Sequence, residues 1–314
     1  MARRRALLIA LAMPAFAQAR SIRMIVAFPP GGSTDVVARL ITPTLERVLG
    51  TTVVIENRGG ANGAIGAAAA AQAAPDGGTF LLDAGGSVTN QHLMRGLGFD
   101  YATAFAPVTQ LTLLPSVLMV ARDSPHNTLE RLLAHLRAHP GHASYGSSGI
   151  GTGAHLSAAL LMRRAGTTAQ HVPYRGGAQQ MTAMLAGETL FCFSTLAVPA
   201  PLLAEGRLIA IAASSAERIP GYETVPTVAE QGFVGFDMVD FHQISAPAGT
   251  PAPIIARMAG AAAQAMHSAE LAGRFQLLGL VPRAQGPEAF ATFLAVQRSR
   301  MGALIRDEGM RVEG

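Results

Sequence analysis

The sequence predicts an α/β protein built as two lobes, and three observations carry that expectation. Short apolar strands alternate with helices along almost the whole chain. At 314 residues the chain exceeds what one hydrophobic core ordinarily serves. Two Gly-rich turns, each set between an apolar strand and a helix, lie far apart in it. The first is Phe28-Pro29-Pro30-Gly31-Gly32-Ser33-Thr34-Asp35, and the second is Ser147-Ser148-Gly149-Ile150-Gly151-Thr152-Gly153. A strand that feeds a helix through small residues aims unpaired N–H groups and the positive end of a helix dipole at one spot. Such a spot favours an anion. Two of them point to two lobes gripping one negatively charged ligand.

The elements follow in order. Residues 22–28 form an apolar strand, 36–49 a helix interrupted in pattern by Pro43, and 53–56 a second strand. Proline within a helix removes a backbone bond, so a kink is expected there. The turn 57–63 leads to the Ala-rich helix 64–74 and the strand 79–83. The run 105–121 is long and nearly all apolar, with Pro107 and Pro115 as breaks, and suits a strand leaving one sheet for another. Then come helix 128–138, strand 143–146, helix 154–164, strand 171–174, helix 177–185, strand 190–194, helix 199–205 and strand 208–213. A second link, 236–246, returns the chain to the first lobe, and helices 252–266 and 287–306 close it. Short apolar strands between helices predict parallel sheets covered on both faces.

Composition narrows the chemistry. Charged residues make up only 14% and apolar residues 49%, which excludes a disordered chain. All 24 basic residues are Arg, so a Walker A lysine, a Schiff base and a lysine general base are excluded. Residues 1–17 read as a secretory signal. Arg3-Arg4-Arg5 is the charged region, 6–13 the apolar region and Ala15-Phe16-Ala17 the cleavage pattern, leaving Gln18 as the new N-terminus. The apolar run is too short to span a bilayer. Cleavage lowers the formal charge from +4 to +1, and a nearly neutral chain without basic clusters does not suit nucleic acid or an anionic membrane surface. Cys192, the only cysteine, lies in an apolar run and reads as a buried small hydrophobe.

Motifs that look catalytic fail in detail. Gly149-Ile150-Gly151-Thr152-Gly153-Ala154 fits a dinucleotide fingerprint but lacks the acidic residue that would hold the ribose. Neither Gly146-Ser147-Ser148-Gly149 nor Gly85-Gly86-Ser87 has nucleophile-elbow spacing. Ser148 with His155 is the hydrolase alternative, without an orienting third group. His135, His139 and His142 resemble a metal cluster, but a solvated helix end accounts for them. The turn 57–63 reads as a structural rim of the cleft. What remains is Gly, Ser, Thr and Asn at strand–helix junctions: a binding site, with no cofactor, metal or reaction centre implied.

Read together, the motifs resemble the periplasmic solute-binding proteins of tripartite tricarboxylate transporters, the Bug family. The likeness runs from Ser21 to the C-terminus and rests on the first turn, Val54-Ile55-Glu56-Asn57-Arg58, Ala74-Pro75-Asp76-Gly77, Phe105-Ala106-Pro107-Val108 and Tyr145-Gly146-Ser147-Ser148-Gly149. His171-Val172-Pro173-Tyr174-Arg175-Gly176, Val225-Pro226-Thr227-Val228-Ala229-Glu230 and Ala246-Pro247-Ala248-Gly249-Thr250-Pro251 complete it. The resemblance implies a type II periplasmic-binding-protein fold with two crossing hinge strands. It places one lobe in 18–113 and 243–314 and the other in 114–242, hinged near 111–116 and 241–245. It implies an exported monomer that binds a small carboxylate in the cleft and delivers it to membrane permease subunits. A secreted sensor of the same fold is the alternative.

The expected ligand-contacting set is Phe28, Pro30, Gly31, Gly32, Ser33, Thr34 and Asp35 in the first turn, with Ser87, Thr89 and Asn90 beyond the third strand. From the second lobe it takes Ser147, Ser148, Gly151, Thr152, Gly153, Ala154, His155, Tyr174, Ser194 and Thr195, and from the returning link Phe241. Asp35 is expected to cap the first helix, leaving the amides of 31–34 to the ligand. Three positions depart from the family pattern. Ser194 stands where relatives often carry Asp, Phe241 where they often carry Trp, and Asp83 where an uncharged residue is usual.

Overall fold

The computed structural model describes residues 21–307, so the expected signal at 1–17 lies outside the described residues. Strands β1 (Ile22–Val26), β2 (Val53–Asn57) and β3 (Thr79–Asp83) run parallel in the order β2-β1-β3. Both faces of β1 are buried. Met24 and Val26 pack with Val37, Ala38, Ile41 and Leu45 of helix α1 (Ser33–Leu49). Ile25 and Ala27 pack on the other face with Ala67 and Ala70 of α2 (Ala64–Ala71). Period-two side chains and a helix on each face explain the continuous apolar run.

After α3 (Gly86–Leu93) the chain enters the 17-residue strand β4 (Phe105–Ala121). Its first part pairs with β9 (Val239–Pro247) and with β10 (Val281–Gln285). Its last part, from Ser116, pairs with β7 (Phe191–Thr195) and β8 (Leu208–Ala213). One strand thus serves both halves of the fold, as the long apolar run predicted. The second half adds β5 (Ser144–Ser147) and β6 (Gln170–Pro173), with α4 (Leu129–Ala138), α5 (Gly153–Arg164), α6 (Gly177–Leu185) and α7 (Ala200–Ala204). Leu118 and Val120 face α4 and α5, while Val117, Met119 and Cys192 face α6 and β8. Cys192 is buried and its thiol is pushed up to about 12 by burial.

Helices α8 (Ala252–Met266), α9 (Ala269–Leu277) and α10 (Pro287–Asp307) complete the described chain. α8 packs on α1, and α10 packs on α3 and β4, with Met301 and Ile305 in the same apolar cluster as Leu156 and Leu160. None of the described helices is long and apolar enough to cross a membrane.

The structure corrects four expectations. The sheet is mixed, because β9, β4, β7, β8 and β10 meet antiparallel. Helix α1 begins at Ser33 rather than 36 and runs through Pro43, whose side chain is exposed. Helix α3 follows Gly85-Gly86 and contains Ser, Thr and Asn, a composition that reads as a turn. α9 buries only Phe275, and β10 holds Pro282 and a positive φ of 49° at Ala284, so neither carries a periodic signal.

Ile41 lies at 0% exposure between α1 and the sheet. Ile41→Ala is expected to cost about 2–5 kcal/mol through lost burial and a residual cavity. Urea unfolding of both proteins reads that difference.

Candidate functional site

Two helix N-termini face one small cavity of about 60 Å³ between the lobes. α1 contributes Gly32, Ser33 and Thr34; α5 contributes Thr152, Gly153 and Ala154. Phe28, Pro29, Asn62, Ala84, Ser148, Gly176, Gly177, Ser194, Thr195, Val198 and Asp240 complete the wall. No side chain caps α1 at Gly32, and Ser33 and Thr34, whose first-turn amides have no partner within the helix, line the cavity. At α5, Thr152 Oγ1 accepts from the His155 amide at 3.4 Å, and the amides of Gly153 and Ala154 lead the helix.

Each turn is locked by the third residue of its helix. Asp35 Oδ2 accepts the Gly31 N–H at 2.9 Å, and Arg39 Nε and Asn57 Nδ2 donate to the same carboxylate at 2.9 Å each. Burial alone would raise this carboxyl, but those bonds outweigh it and hold it below its usual value. His155 Nδ1 accepts the Gly151 N–H at 3.1 Å, which places its proton on Nε2. The imidazole stacks on His171 at 4.0 Å, and burial pushes both rings down to about 4. His171 in turn meets Ser147 Oγ at 2.6 Å. This corrects the expected role of Asp35. It takes the Gly31 amide instead of capping the first helical turn, so that amide is already occupied.

Of the expected set, Phe28, Gly32, Ser33, Thr34, Ser148, Thr152, Gly153, Ala154, Ser194 and Thr195 line the cavity. Pro30, Gly31, Asp35, Ser87, Thr89, Asn90, Ser147, Gly151, His155, Tyr174 and Phe241 are not in its wall. Pro30 and Gly31 sit on the outer, exposed side of the turn. Ser147 and Ser87 are buried. Tyr174 turns outward, its hydroxyl donating to Glu188 Oε2 at 3.1 Å. Phe241 packs edge-on against Phe293 at 5.0 Å. Thr89 and Asn90 instead hold Asn62, whose Nδ2 lies 3.2 Å from Thr89 Oγ1 and 2.9 Å from Asn90 Oδ1. The same nitrogen reaches the Gly151 carbonyl at 2.9 Å, bridging the two turns. The turn 57–63 therefore contributes Asn62 to the cavity wall, in the left-handed conformation at φ 48°.

Sequence reasoning missed Asn62 and Asp240 as parts of this wall. Among the described residues, Asp240 is the only ionisable side chain lining the cavity. Its Oδ1 accepts the Phe241 amide at 2.8 Å, and the Gly85 amide bonds the same carboxylate. A Cβ at Gly85 would lie 2.3 Å from Oδ1, and one at Gly153 would lie 3.1 Å from Oδ2, so both glycines make room for the acid. Asp83, fully buried, accepts from the Ala84 amide through Oδ1 while its Oδ2 has no partner. Burial, with the Asp240 charge adding to it, pushes the Asp83 carboxyl up to about 7, and burial pushes Asp240 up to about 6. His126 stacks on His135 at 4.1 Å and His135 lies tilted against His139 at 4.8 Å, and no group of His, Cys, Asp or Glu able to hold a metal occurs among the described residues.

Residues 37–310 match the family described as "Tripartite tricarboxylate transporter family receptor". The chain is 31% identical to Protein BugT of Bordetella pertussis over 297 residues, covering 94% of this chain and 91% of that protein. Its fold matches the periplasmic binding protein BugD with a TM-score of 0.89 at 29% identity, over 93% of this chain and 99% of the other. It also matches MatC from Rhodopseudomonas palustris with bound malate, with a TM-score of 0.86 at 29% identity, over 92% and 99%.

The raised Asp83 carboxyl has a readable consequence. Its folded form keeps a proton between about pH 4 and 7 that the unfolded chain has lost, so its contribution falls as pH rises through that window. Asp83→Asn keeps the bond from Ala84 and removes the titration. Its melting temperature should exceed that of the parent at pH 8, with the gap closing by pH 5. A gap independent of pH would contradict the assignment.

Proposed function

Because the chain belongs to the tripartite tricarboxylate transporter receptor family, whose members are solute-binding proteins and not enzymes, we propose that it is a periplasmic receptor for a small carboxylate. The observation that carries this reading is the pair of helix N-termini aimed at one cavity. The amides of Ser33 and Thr34 on one side, and of Gly153 and Ala154 on the other, offer donors with positive dipole ends. Hydroxyls of Ser33, Thr34, Ser148 and Thr152 line the same space and add donors of adjustable direction. A carboxylate held by dipoles rather than by an arginine is released without breaking an ion pair, which suits hand-over to membrane permease subunits. The malate bound by MatC supports a carboxylate, and the periplasmic description of BugD supports export. So do the charged, apolar and small-residue regions of 1–17.

In this reading the protein acts as a monomer. The bodies 18–113 with 243–314, and 114–242, close on the ligand about 111–116 and 241–245. Asn62 bonding to the Gly151 carbonyl is the contact such closure would form.

A thermal-shift screen of mono-, di- and tricarboxylates should find at least one that raises the melting temperature, since a ligand that binds only the folded state stabilises it. Gly153→Pro tests where that ligand sits. Position 153 is the first helical residue, where proline is tolerated, and Thr152 before it is already extended at ψ 158°. The variant should fold and lose at least tenfold in affinity by calorimetry; unchanged affinity would put the carboxylate elsewhere. Small-angle scattering should show a smaller radius of gyration with the ligand than without it, and identical profiles would rule out hinge closure.

A further inference from the structure

Asp240 is out of place in a site that only holds an anion. It lines the cavity beside Thr34, Thr152, Gly153 and Thr195, where no Arg or His accompanies it. Its Oδ1 accepts the Phe241 amide and the Gly85 amide bonds the same carboxylate, while its Oδ2 lies on the Gly153 side. Behind it stands Asp83, whose Oδ2 is buried without a partner, so the acid end of the cleft lacks a matching positive charge. Arg39 of α1 is committed to Asp35. A ligand carboxylate seated on the four open amides would therefore lie in the same small cavity as a like charge. In a partly desolvated cleft that repulsion is far stronger than in water.

A ligand with both signs of charge resolves the conflict. Resting on the carboxylate reading above, we propose that this receptor selects an amino-carboxylate, with the ligand carboxylate on the two helix N-termini and its ammonium group on Asp240. The ammonium carries three donors, and the Asp240 carboxylate supplies acceptors in the same cavity. The glycines fit this role: residues 85 and 153 lack side chains where a Cβ would press on the Asp240 oxygens. Asp240 is a specificity-determining residue, disfavouring a bare dicarboxylate by repulsion and favouring its amino counterpart by attraction. Burial raises the Asp240 carboxyl only to about 6, so it is ionised at pH 7.5.

The test is calorimetric titration at pH 7.5 with matched pairs that differ by one amino group: aspartate and succinate, glutamate and glutarate, γ-aminobutyrate and butyrate, alanine and propionate. In at least one pair the amino member should bind tenfold or more tightly than its partner. Asp240→Asn keeps an acceptor for Phe241 and Gly85 but removes the charge. It should bring the two members within about threefold, with the des-amino acid gaining affinity. Equal or tighter binding of the des-amino acids by the parent protein would overturn the proposal and leave the carboxylate reading standing. So would an amino preference that survives Asp240→Asn. If a carboxylate from the thermal-shift screen binds while neither member of any pair does, this proposal falls and the carboxylate reading stands; if no carboxylate of that screen binds, both fall.

Discussion

The antiparallel pairing of β4 with β9 is the constraint on which the cleft depends. It runs from Phe105 opposite Pro247 to Pro115 opposite Val239, and β4 then continues into the second sheet. Because one strand belongs to both halves, the ends of β1 and β5 are held in a fixed relation although the chain between them is long. Each of those strands ends in a Gly-rich turn, and each turn opens a helix, so the shared strand brings two helix N-termini to one place. Register shifts between Pro107 and Thr109 and between Gln110 and Thr112 interrupt the ladder near the crossing. Such bulges bend and twist a strand pair without breaking it.

Within that frame the two turns use one device with different chemistry. In both helices the third residue reaches back four positions and takes a glycine N–H: Asp35 from Gly31, His155 from Gly151. The geometry is related to a capping box, with the bond made one residue earlier than the N-cap. On the first lobe the acceptor is a carboxylate paired with Arg39 and hydrogen-bonded by Asn57; on the second it is an imidazole kept neutral by burial against His171. Either way the locking group is turned behind the turn, and no fixed cation enters the cavity wall. In the proposed reading the first-turn amides act on a ligand through dipoles, and among the described residues Asp240 is the one ionisable side chain in the wall.

Asp83 is buried and Asp240 half-buried, and withdrawing such acids from water is costly. Asp83 and Asp240 each accept backbone amides beside them, but burial still favours the protonated form of both. A protein that only needed a stable sheet would not place two carboxyls there, because apolar residues of similar size are better tolerated in such a position. Asn62, Asn90 and Tyr101 form a neutral chain next to them, Asn90 Nδ2 donating to the Tyr101 hydroxyl at 3.0 Å. Asn62 is thus tied to this chain from the cavity wall, while Asp83 Oδ2 and Ser87 Oγ, outside the wall, are buried without a partner.

The sequence by itself determined the alternation of elements, the long shared strand and the two Gly-rich turns. These are local signals: apolar runs, helix periodicity and residues that tolerate unusual backbone angles are properties of consecutive residues. Phe28, Ser33, Thr34, Ser148, Thr152 and Gly153 were legible for the same reason, since each belongs to a turn that announces itself. The tertiary structure alone decided strand direction, because nothing in a short apolar run records whether its neighbour lies parallel or antiparallel. It also decided which turn residues face inward: Gly31 and Gly151 look as open as Gly32 and Gly153 in sequence, but only folding brings Asp35 and His155 back to occupy their amides. Asn62 and Asp240 lay beyond reach for a related reason. Each meets its partners across a long stretch of chain, Asn62 at Gly151 and Asp240 against Gly85 and Gly153, so their place in the cleft exists only once β4 and β9 have crossed.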